Sequence, residues 1–234
     1  MSLLVASIDL GTTFSGWAYS YKHDYKTSRN SIRTKNWHAS SHISQKAPTV
    51  VLIKPDGKTL HSFGYDAESK YADLAETGDH KDWYYFRRFK MLLFDRKGVQ
   101  VNTLIEETGG KNLEAIEVFC LTIKCIKDDL IATVKQQLSG EEFKESDVSW
   151  VVTLPAIWND AAKQFMRCAA EKAGIDKDKL TIALEPEAAS LHCRHLPIEK
   201  NVGDSDASLC KYPIGTKYIV VDAGGGTVDI TVHE

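Results

Sequence analysis

The chain has 234 residues, of which 43% are hydrophobic and 26% are charged, and these fractions are those of an ordinary globular protein. Its formal net charge of −3 gives no basis for binding nucleic acid or an anionic membrane, and no apolar run approaches the ~18 residues of a membrane span, so we expect neither as a partner. The five cysteines are scattered without a CxxC pair, which is typical of free thiols in a reducing compartment.

The first part of the chain predicts two β-hairpins. The opening "MSLLVASIDL" lacks the basic region of a signal peptide and reaches Asp9 early, so we interpret it as a buried strand and expect a cytoplasmic protein. Residues 3–9 and 14–21 bracket the turn "LGTT", and "PTVVLIKPDGKTLHSFG" folds back on itself at the turn "PDG". Residues 21–45, between the hairpins, are polar and predict a loop.

The middle of the chain predicts helices that alternate with strands. Residues 65–76 and the segment "WYYFRRFKMLLF" predict helices, and apolar residues spaced three and four apart over 113–138 predict a longer one. "DVSWVVTLP" and "LTIALEP" predict strands, each followed by a helix, the first capped by Asn159 and the second with Pro186 in its first turn. Because strands, helices and hairpins interleave, we expect an α/β fold with a mixed sheet.

The end of the chain predicts a polar loop over 201–215 and then a hairpin whose turn resembles the first one. In "SIDLGTTFSG" and in "VVDAGGGTVDI" an Asp precedes glycine, and a Thr follows. Glycines let successive backbone N–H groups approach a phosphate, and threonine hydroxyls add donors. Asp9 and Asp222 would repel bare phosphate, so the pattern requires a hard cation such as Mg²⁺. Two copies predict two halves that clamp one ligand.

One other grouping suggests a metal site. The segment "HCRH" over 192–195 is followed by Cys210, but no second pair of ligands follows at zinc-finger spacing. We therefore interpret this segment as a helix end that runs into a loop, and we predict no metal cluster there.

Four segments resemble, in order and approximate spacing, the seventy-kilodalton heat-shock chaperone family. They are "IDLGTTFSG", "VVTLPAIWNDAAKQ", "ALEPEAAS" and "VVDAGGGTVDI", similar to its phosphate-1, connect-1, Glu-Pro and phosphate-2 segments. "GTTFSGWAYS" and "PAIWNDAAKQFMRCAAEKAG" are similar to its divergent twelve-type branch, the A and B members. The resemblance covers essentially the whole chain.

The resemblance implies an actin-like ATPase fold, with ribonuclease-H-like sheets in two lobes and Mg-ATP in the cleft between them. Lobe I would span residues 1–198, an inserted polar loop would span 199–216, and 217–234 would be the first β-hairpin of lobe II. The rest of lobe II is absent from the sequence, so we expect a fragment with one complete lobe. A complete domain would be a slow ATPase, whereas hydrolysis by this chain alone is doubtful.

The resemblance also implies a role for each turn. Both turns would bind the phosphates of ATP or ADP, through Gly11, Thr12 and Thr13 in the first and through Gly224, Gly225, Gly226 and Thr227 in the second, supported by Asp229. Asp9, Glu185 and Asp222 would bind the waters around Mg²⁺.

A catalytic lysine is expected as well. It would position the attacking water and offset charge on the γ-phosphate during in-line attack, together with the three carboxylates. Lys90 is the proposed match, but the alignment needs a one-residue gap, so Arg87 and Arg88 remain candidates. The alternative for Lys90 is an ordinary lysine on an exposed helix face.

Two residues depart from the family pattern. Glu187 stands where Thr is usual, and Lys163 stands where the family has a relay arginine, so coupling to a partner domain is expected to differ.

Two other functions stay open. One alternative function is that of a non-enzymatic module that binds a client or co-chaperone, through the surface over 48–76, and no nucleotide. The other is a small-molecule kinase of the same fold, for which no substrate-base segment is found.

Overall fold

The computed structural model describes residues 3–29, 31–39, 43–94, 99–100, 102–138, 143–193 and 215–234. Fifteen strands lie in this part of the chain: β1 (Leu4–Leu10), β2 (Phe14–Tyr21), β3 (Arg33–Thr34), β4 (Trp37–His38), β5 (Ile43–Ser44), β6 (Ala47–Pro48), β7 (Val50–Ile53), β8 (Leu60–Phe63), β9 (Tyr84–Arg87), β10 (Leu104–Glu106), β11 (Asn112–Glu114), β12 (Val148–Leu154), β13 (Leu180–Leu184), β14 (Tyr218–Ala223) and β15 (Val228–His233). The α-helices there are α1 (Lys22–Thr27), α2 (Tyr65–Thr77), α3 (Ala115–Gln137), α4 (Asp160–Lys172) and α5 (Glu185–Cys193). Short 3₁₀-helices span Asp79–Asp82, Phe89–Phe94, Glu145–Asp147 and Lys177–Lys179.

A six-stranded sheet forms the centre of the described fold. Its order is β13-β12-β1-β2-β3, and β6 also pairs with β2. The sheet is mixed, since β1 is parallel to β12 and antiparallel to β2. Side chains alternate between its faces: Leu4, Ala6 and Ile8 are fully buried, whereas Val5 is exposed. Helix α3 packs on the buried face against β1 and β2, so the predicted α/β class with a mixed sheet is confirmed.

The predicted helix boundaries in the second half are confirmed by their caps. The side chain of Asn159 accepts a hydrogen bond from the backbone of Ala162 at 2.9 Å, which satisfies a free N–H group in the first turn of α4. Gly174 follows that helix with a φ of 86°, a left-handed conformation that favours glycine. Pro186 lies in the first turn of α5, as predicted.

The helix predicted over "WYYFRRFKMLLF" is wrong. Its first half is strand β9, which pairs antiparallel with β7 from Val50 opposite Arg87 to Ile53 opposite Tyr84. Its second half is a 3₁₀-helix, and Arg88 joins the two with a φ of 50°. Aromatic residues suit a strand, and the cross-strand pairing with β7, distant in sequence, outweighs local helix propensity.

The loop predicted over 21–45 is also corrected. It contains α1 and the short strands β3, β4 and β5. Backbone pairing of Ala18 with Thr34 and of Tyr19 with Arg33 adds β3 to the central sheet, and Arg33 forms an ion pair with Asp24 at 2.8 Å. Such two-residue strands are too short to show a periodic pattern in sequence.

The predicted C-terminal hairpin is present as β14 and β15. These strands pair only with each other among the described residues, from Tyr218 opposite His233 to Ala223 opposite Val228. A contact of 3.0 Å between the hydroxyls of Ser190 and Tyr218 connects the hairpin to α5. The predicted polar loop falls almost entirely on residues 194–214, outside the described part of the chain, so the lobe boundaries stay a prediction.

No helix in the described ranges combines the length and the apolarity needed to cross a membrane.

Candidate functional site

A cleft of about 610 Å³ lies between the end of the central sheet and the C-terminal hairpin. Its lining includes every residue that the sequence analysis assigned to phosphate, magnesium or catalysis: Asp9, Gly11, Thr12, Thr13, Lys90, Glu185, Asp222, Gly224, Gly225, Gly226, Thr227 and Asp229. The fold therefore brings together residues that are as far apart as the two ends of the sequence.

The first turn is shaped by Gly11 and fastened by Thr49. A Cβ atom on Gly11 would lie 2.2 Å from the carbonyl oxygen of Phe14, so any other residue would force the backbone to shift. The backbone N–H of Thr49 donates to the carbonyl of Thr13 at 2.8 Å, and its hydroxyl donates to the carbonyl of Gly11, also at 2.8 Å. These two hydrogen bonds fasten the first turn to the residue that precedes β7.

The second turn approaches the first closely. A Cβ atom added to Gly225 would lie 3.0 Å from side-chain atoms of Thr13, and one added to Gly226 would lie 3.0 Å from the side chain of Thr12. A side chain at either position would press on the first turn, so glycine lets the two turns lie close together.

The hydroxyl of Thr13 has no hydrogen-bond partner within the described protein, although its oxygen is buried. Buried polar groups are nearly always paired, so an unpaired one at a cleft is a candidate ligand contact. A bound phosphate oxygen would accept this hydrogen bond. The residues present therefore fit a phosphate ligand between the turns.

Two carboxylates of the cleft are held by lysines. Asp9 forms an ion pair with Lys46 and accepts a hydrogen bond from the hydroxyl of Thr153 at 3.2 Å. Glu185 accepts a hydrogen bond from Lys90 at 2.9 Å, and the Lys90 side chain is only 2% exposed. Lys90 is thus a buried cation at the cleft wall, and the alternative of an exposed helix lysine is wrong.

The ammonium group of Lys90 also lies 5.1 Å from the ring centre of Trp158. An aromatic face attracts a cation within about 6 Å, which helps to offset the loss of water around this ammonium group. Arg87 and Arg88, the other candidates for the catalytic cation, do not line this cleft but line a neighbouring cavity.

The pKa of Glu185 is raised above its ordinary value, chiefly because burial disfavours the charged carboxylate. The nearby charge of Lys90 and its hydrogen bond oppose this shift, and the negative charges of Asp9 and Asp229 add to it. The pKa of Asp229 is also raised, first by burial and then by Asp222, which lies directly opposite it in the hairpin. The cleft thus concentrates negative charge that a divalent cation would offset.

In the described residues, no three His, Cys, Asp or Glu side chains are placed so that they could hold a metal ion directly. Asp9, Glu185 and Asp222 nevertheless all line the cleft, and carboxylate oxygens are the hard donors that Mg²⁺ prefers, often through its waters. The donor set therefore fits a hydrated magnesium ion. Arg194 and His195 of the segment "HCRH", and Cys210, lie outside the described residues.

Sequence reasoning missed three polar residues of the cleft, namely Lys46, Thr153 and His192. Lys46 lies just before β6, and no pattern marks it. Thr153 could have been inferred, because β12 is parallel to β1 and such pairing brings the ends of the two strands to one edge. His192 could also have been inferred as a cleft residue. It lies on α5 seven residues after Glu185, which is two helical turns, so the two residues share one face of the helix.

No family model matches the chain. Individual proteins do match it over nearly its whole length. It is 35% identical over 276 aligned positions to heat shock 70 kDa protein 12A of Homo sapiens, and 33% identical over 281 positions to heat shock 70 kDa protein 12B of the same organism. Each alignment covers 99% of this chain and 40% of the relative.

A bacterial chaperone is also similar. The chaperone protein DnaK of Psychrobacter cryohalolentis is 28% identical over 244 positions, which cover 98% of this chain and 31% of that protein. The chain thus spans about two fifths of the length of the 12A and 12B proteins. Matches of this extent agree with the ordered motifs and with the cleft that those motifs build. The chain belongs to the seventy-kilodalton heat-shock protein family, in the branch of its 12A and 12B members.

Proposed function

We propose that this chain is part of a chaperone-like protein and binds the phosphates of Mg-ATP or Mg-ADP between its two glycine-rich turns. The observation that carries the proposal is the approach of Gly225 and Gly226 to the side chains of Thr13 and Thr12 across the cleft. Two loops with the same Asp, Gly and Thr chemistry then face a single volume of about 610 Å³. The unpartnered hydroxyl of Thr13 supports phosphate as the ligand.

Each group of residues would have a separate task. Backbone N–H groups of both turns and the hydroxyls of Thr12, Thr13 and Thr227 would donate to phosphate oxygens. Asp9, Glu185 and Asp222 would accept hydrogen bonds from the waters of Mg²⁺, and Asp229 would support the second turn. When bound, Mg-ATP supplies a γ-phosphate open to attack by water, and a cation that offsets its charge.

Lys90 is the proposed cation for hydrolysis in the complete domain. It is fixed by Glu185 and by the face of Trp158, so its ammonium group is already oriented before a nucleotide arrives. A fixed positive charge beside a γ-phosphate would stabilise the charge that develops in the transition state, and it would orient a water by hydrogen bonding.

The two turns would belong to different lobes of one domain. Residues 1–198 would form lobe I of an actin-like ATPase, 199–216 a polar insertion, and 217–234 the first hairpin of lobe II. Clients and co-chaperones are the expected protein partners of the whole protein. The mixed sheet and the separate pairing of β14 with β15 support this division.

Calorimetric titration with Mg-ATP tests the function. We expect binding that depends on magnesium, is abolished by EDTA, and is at least about tenfold weaker in Asp9→Asn, since a carboxylate at the metal shell is lost. Asp73→Asn, on the exposed face of α2, removes the same charge outside the cleft and should bind as the unchanged chain does. Equal affinity in Asp9→Asn and Asp73→Asn would reject the assignment.

A second candidate function is a protein-interaction module without nucleotide, and the outer face of the C-terminal hairpin favours it. Five apolar side chains on that face are at least 60% exposed: Ile219, Val221, Val228, Ile230 and Val232. Exposed apolar patches of this kind are usually covered by protein. A folded chain that fails to bind Mg-ATP would favour this second function.

A further inference from the structure

A second cavity, of about 260 Å³, adjoins the phosphate cleft. The two share Thr12, Thr13 and Phe14, so the first turn forms a wall between them. Arg87 and Arg88 line the second cavity, whereas Lys90, two residues further on, lines the first. One short segment therefore supplies cations to two neighbouring volumes.

The backbone at Arg88 explains this division. Its φ of 50° lies in the left-handed region, which glycine and asparagine adopt far more easily than arginine does. The conformation ends β9 and starts the 3₁₀-helix, where the N–H of Met91 donates to the carbonyl of Arg88 at 3.0 Å. Strained residues of this kind concentrate at ligand sites, where the side chain is needed in spite of the backbone.

The charged groups of the second cavity are not paired with one another. The cavity is lined by two guanidinium groups and by one carboxylate, that of Glu68. None of the ion pairs in the described part of the chain involves Arg87, Arg88 or Glu68. The positive charge of the cavity is therefore available to a ligand.

We propose that this cavity is a second oxyanion site and that it binds inorganic phosphate. A guanidinium group offers a planar fork of N–H donors that matches two oxygens of a phosphate, so Arg87 and Arg88 suit a tetrahedral oxyanion. Thr13 lies in the wall that the two volumes share, so a phosphate held by these arginines would lie beside the first turn. Glu68 limits the affinity, and it favours the partly protonated forms of phosphate over more highly charged anions.

One consequence rests on the proposed function, although the site itself does not. A phosphate cleaved from ATP in the first cleft would have to pass only the Thr12–Thr13 turn to reach the second cavity. The cavity would then retain the product after cleavage, separately from the bound ADP.

The test is a ³¹P NMR titration of the nucleotide-free chain with inorganic phosphate. We expect saturable binding to the unchanged chain, weakened at least tenfold in Arg88→Asn, because a charge-assisted bidentate contact is lost while asparagine tolerates the left-handed backbone. Arg29→Asn is the matched control, because Arg29 is an exposed arginine in a turn that is distant from Arg88 in sequence. This variant should bind phosphate within twofold of the unchanged chain. Circular dichroism would establish that each variant folds.

Lys90→Met separates this site from the phosphate cleft. Phosphate binding that survives in Lys90→Met but fails in Arg88→Asn supports the second site, and it does so even if Mg-ATP does not bind. Binding that fails in Lys90→Met but survives in Arg88→Asn places the phosphate in the first cleft and overturns the inference. Equal losses in Arg88→Asn and Arg29→Asn, or no saturable binding at all, overturn it as well.

Discussion

The ammonium nitrogen of Lys90 lies 2.9 Å from a carboxylate oxygen of Glu185, a residue 95 positions away in sequence. The contact ties the 3₁₀-helix after β9 to the first turn of α5, and both side chains are largely buried, at 2% and 16% exposure. A pair in this position serves the fold and the cleft together, since it joins two buried polar groups and fixes both side chains at the cleft wall.

The first prediction concerns the stability that this pair provides. Lys90→Met should lower the free energy of unfolding by about 3 kcal/mol, because it leaves a buried carboxylate unpaired. Glu185→Gln should lower it less, since an amide oxygen can still accept the hydrogen bond. Urea unfolding of the two single variants and of the double variant measures the coupling energy between the two side chains. Purely additive losses of free energy would contradict a direct pair.

An exposed pair provides the control for that experiment. Lys124 forms an ion pair with Asp128 one helical turn away on α3, and both side chains are about half exposed. Lys124→Met should therefore change the free energy of unfolding by less than about 1 kcal/mol.

The second prediction concerns pH. Because burial raises the pKa of Glu185 in the folded chain, the folded state binds its proton more readily than the unfolded state does. The contribution of Glu185 to the free energy of unfolding is then largest below the unfolded pKa, about 4.3, and is lost as pH rises through the higher folded pKa. The chain should gain stability relative to Glu185→Gln as pH falls from about 7 toward about 4.5. Unfolding curves at several pH values measure this difference; a difference that shrinks on acidification would show that the pKa is lowered instead.

The third prediction separates the roles of two glycines. Gly11→Ala would place a Cβ atom 2.2 Å from a backbone oxygen, so we expect it to lower the melting temperature and the free energy of unfolding by about 2 kcal/mol or more. Gly226→Ala would place its Cβ atom 3.0 Å from the Thr12 side chain, in the neighbouring turn. It should leave stability nearly unchanged and weaken Mg-ATP binding, because the turns must separate. Calorimetry and thermal unfolding of both variants test this, and equal effects on stability would refute the distinction.

The fourth prediction concerns Lys46, which forms an ion pair with Asp9 at the proposed magnesium position. Both side chains are partly exposed, at 50% and 36%, so removing the pair should hardly change stability. A fixed cation on Asp9 competes with Mg²⁺ for the same carboxylate. Lys46→Met should therefore lower the magnesium concentration needed for half-maximal ATP binding by about two- to fivefold. A higher magnesium requirement would instead assign Lys46 to the phosphates, and Lys58→Met, on an exposed turn, controls for net charge.

Much of this protein was predictable because its signals are local. The repeat of "DLGTT" and "DAGGGT", the apolar stripe of α3 and the Asn159 cap each depend on residues near one another, and the structure contains all of them. Backbone sterics and helix periodicity act over a few residues, so such features are visible in one sequence. The assignment of Asp9 and Asp222 to one acidic cleft came from the same repeated pattern.

Tertiary structure alone decided the rest. The segment over 84–94 is a strand and a 3₁₀-helix because β7 pairs with it, and that pairing turns Lys90 toward Glu185 and leaves Arg87 and Arg88 in a different cavity. Lys46 reaches Asp9 from a stretch with no sequence pattern at all. These contacts join residues tens of positions apart, where cross-strand pairing and burial outweigh local propensity, so they are determined only when the sheet has formed.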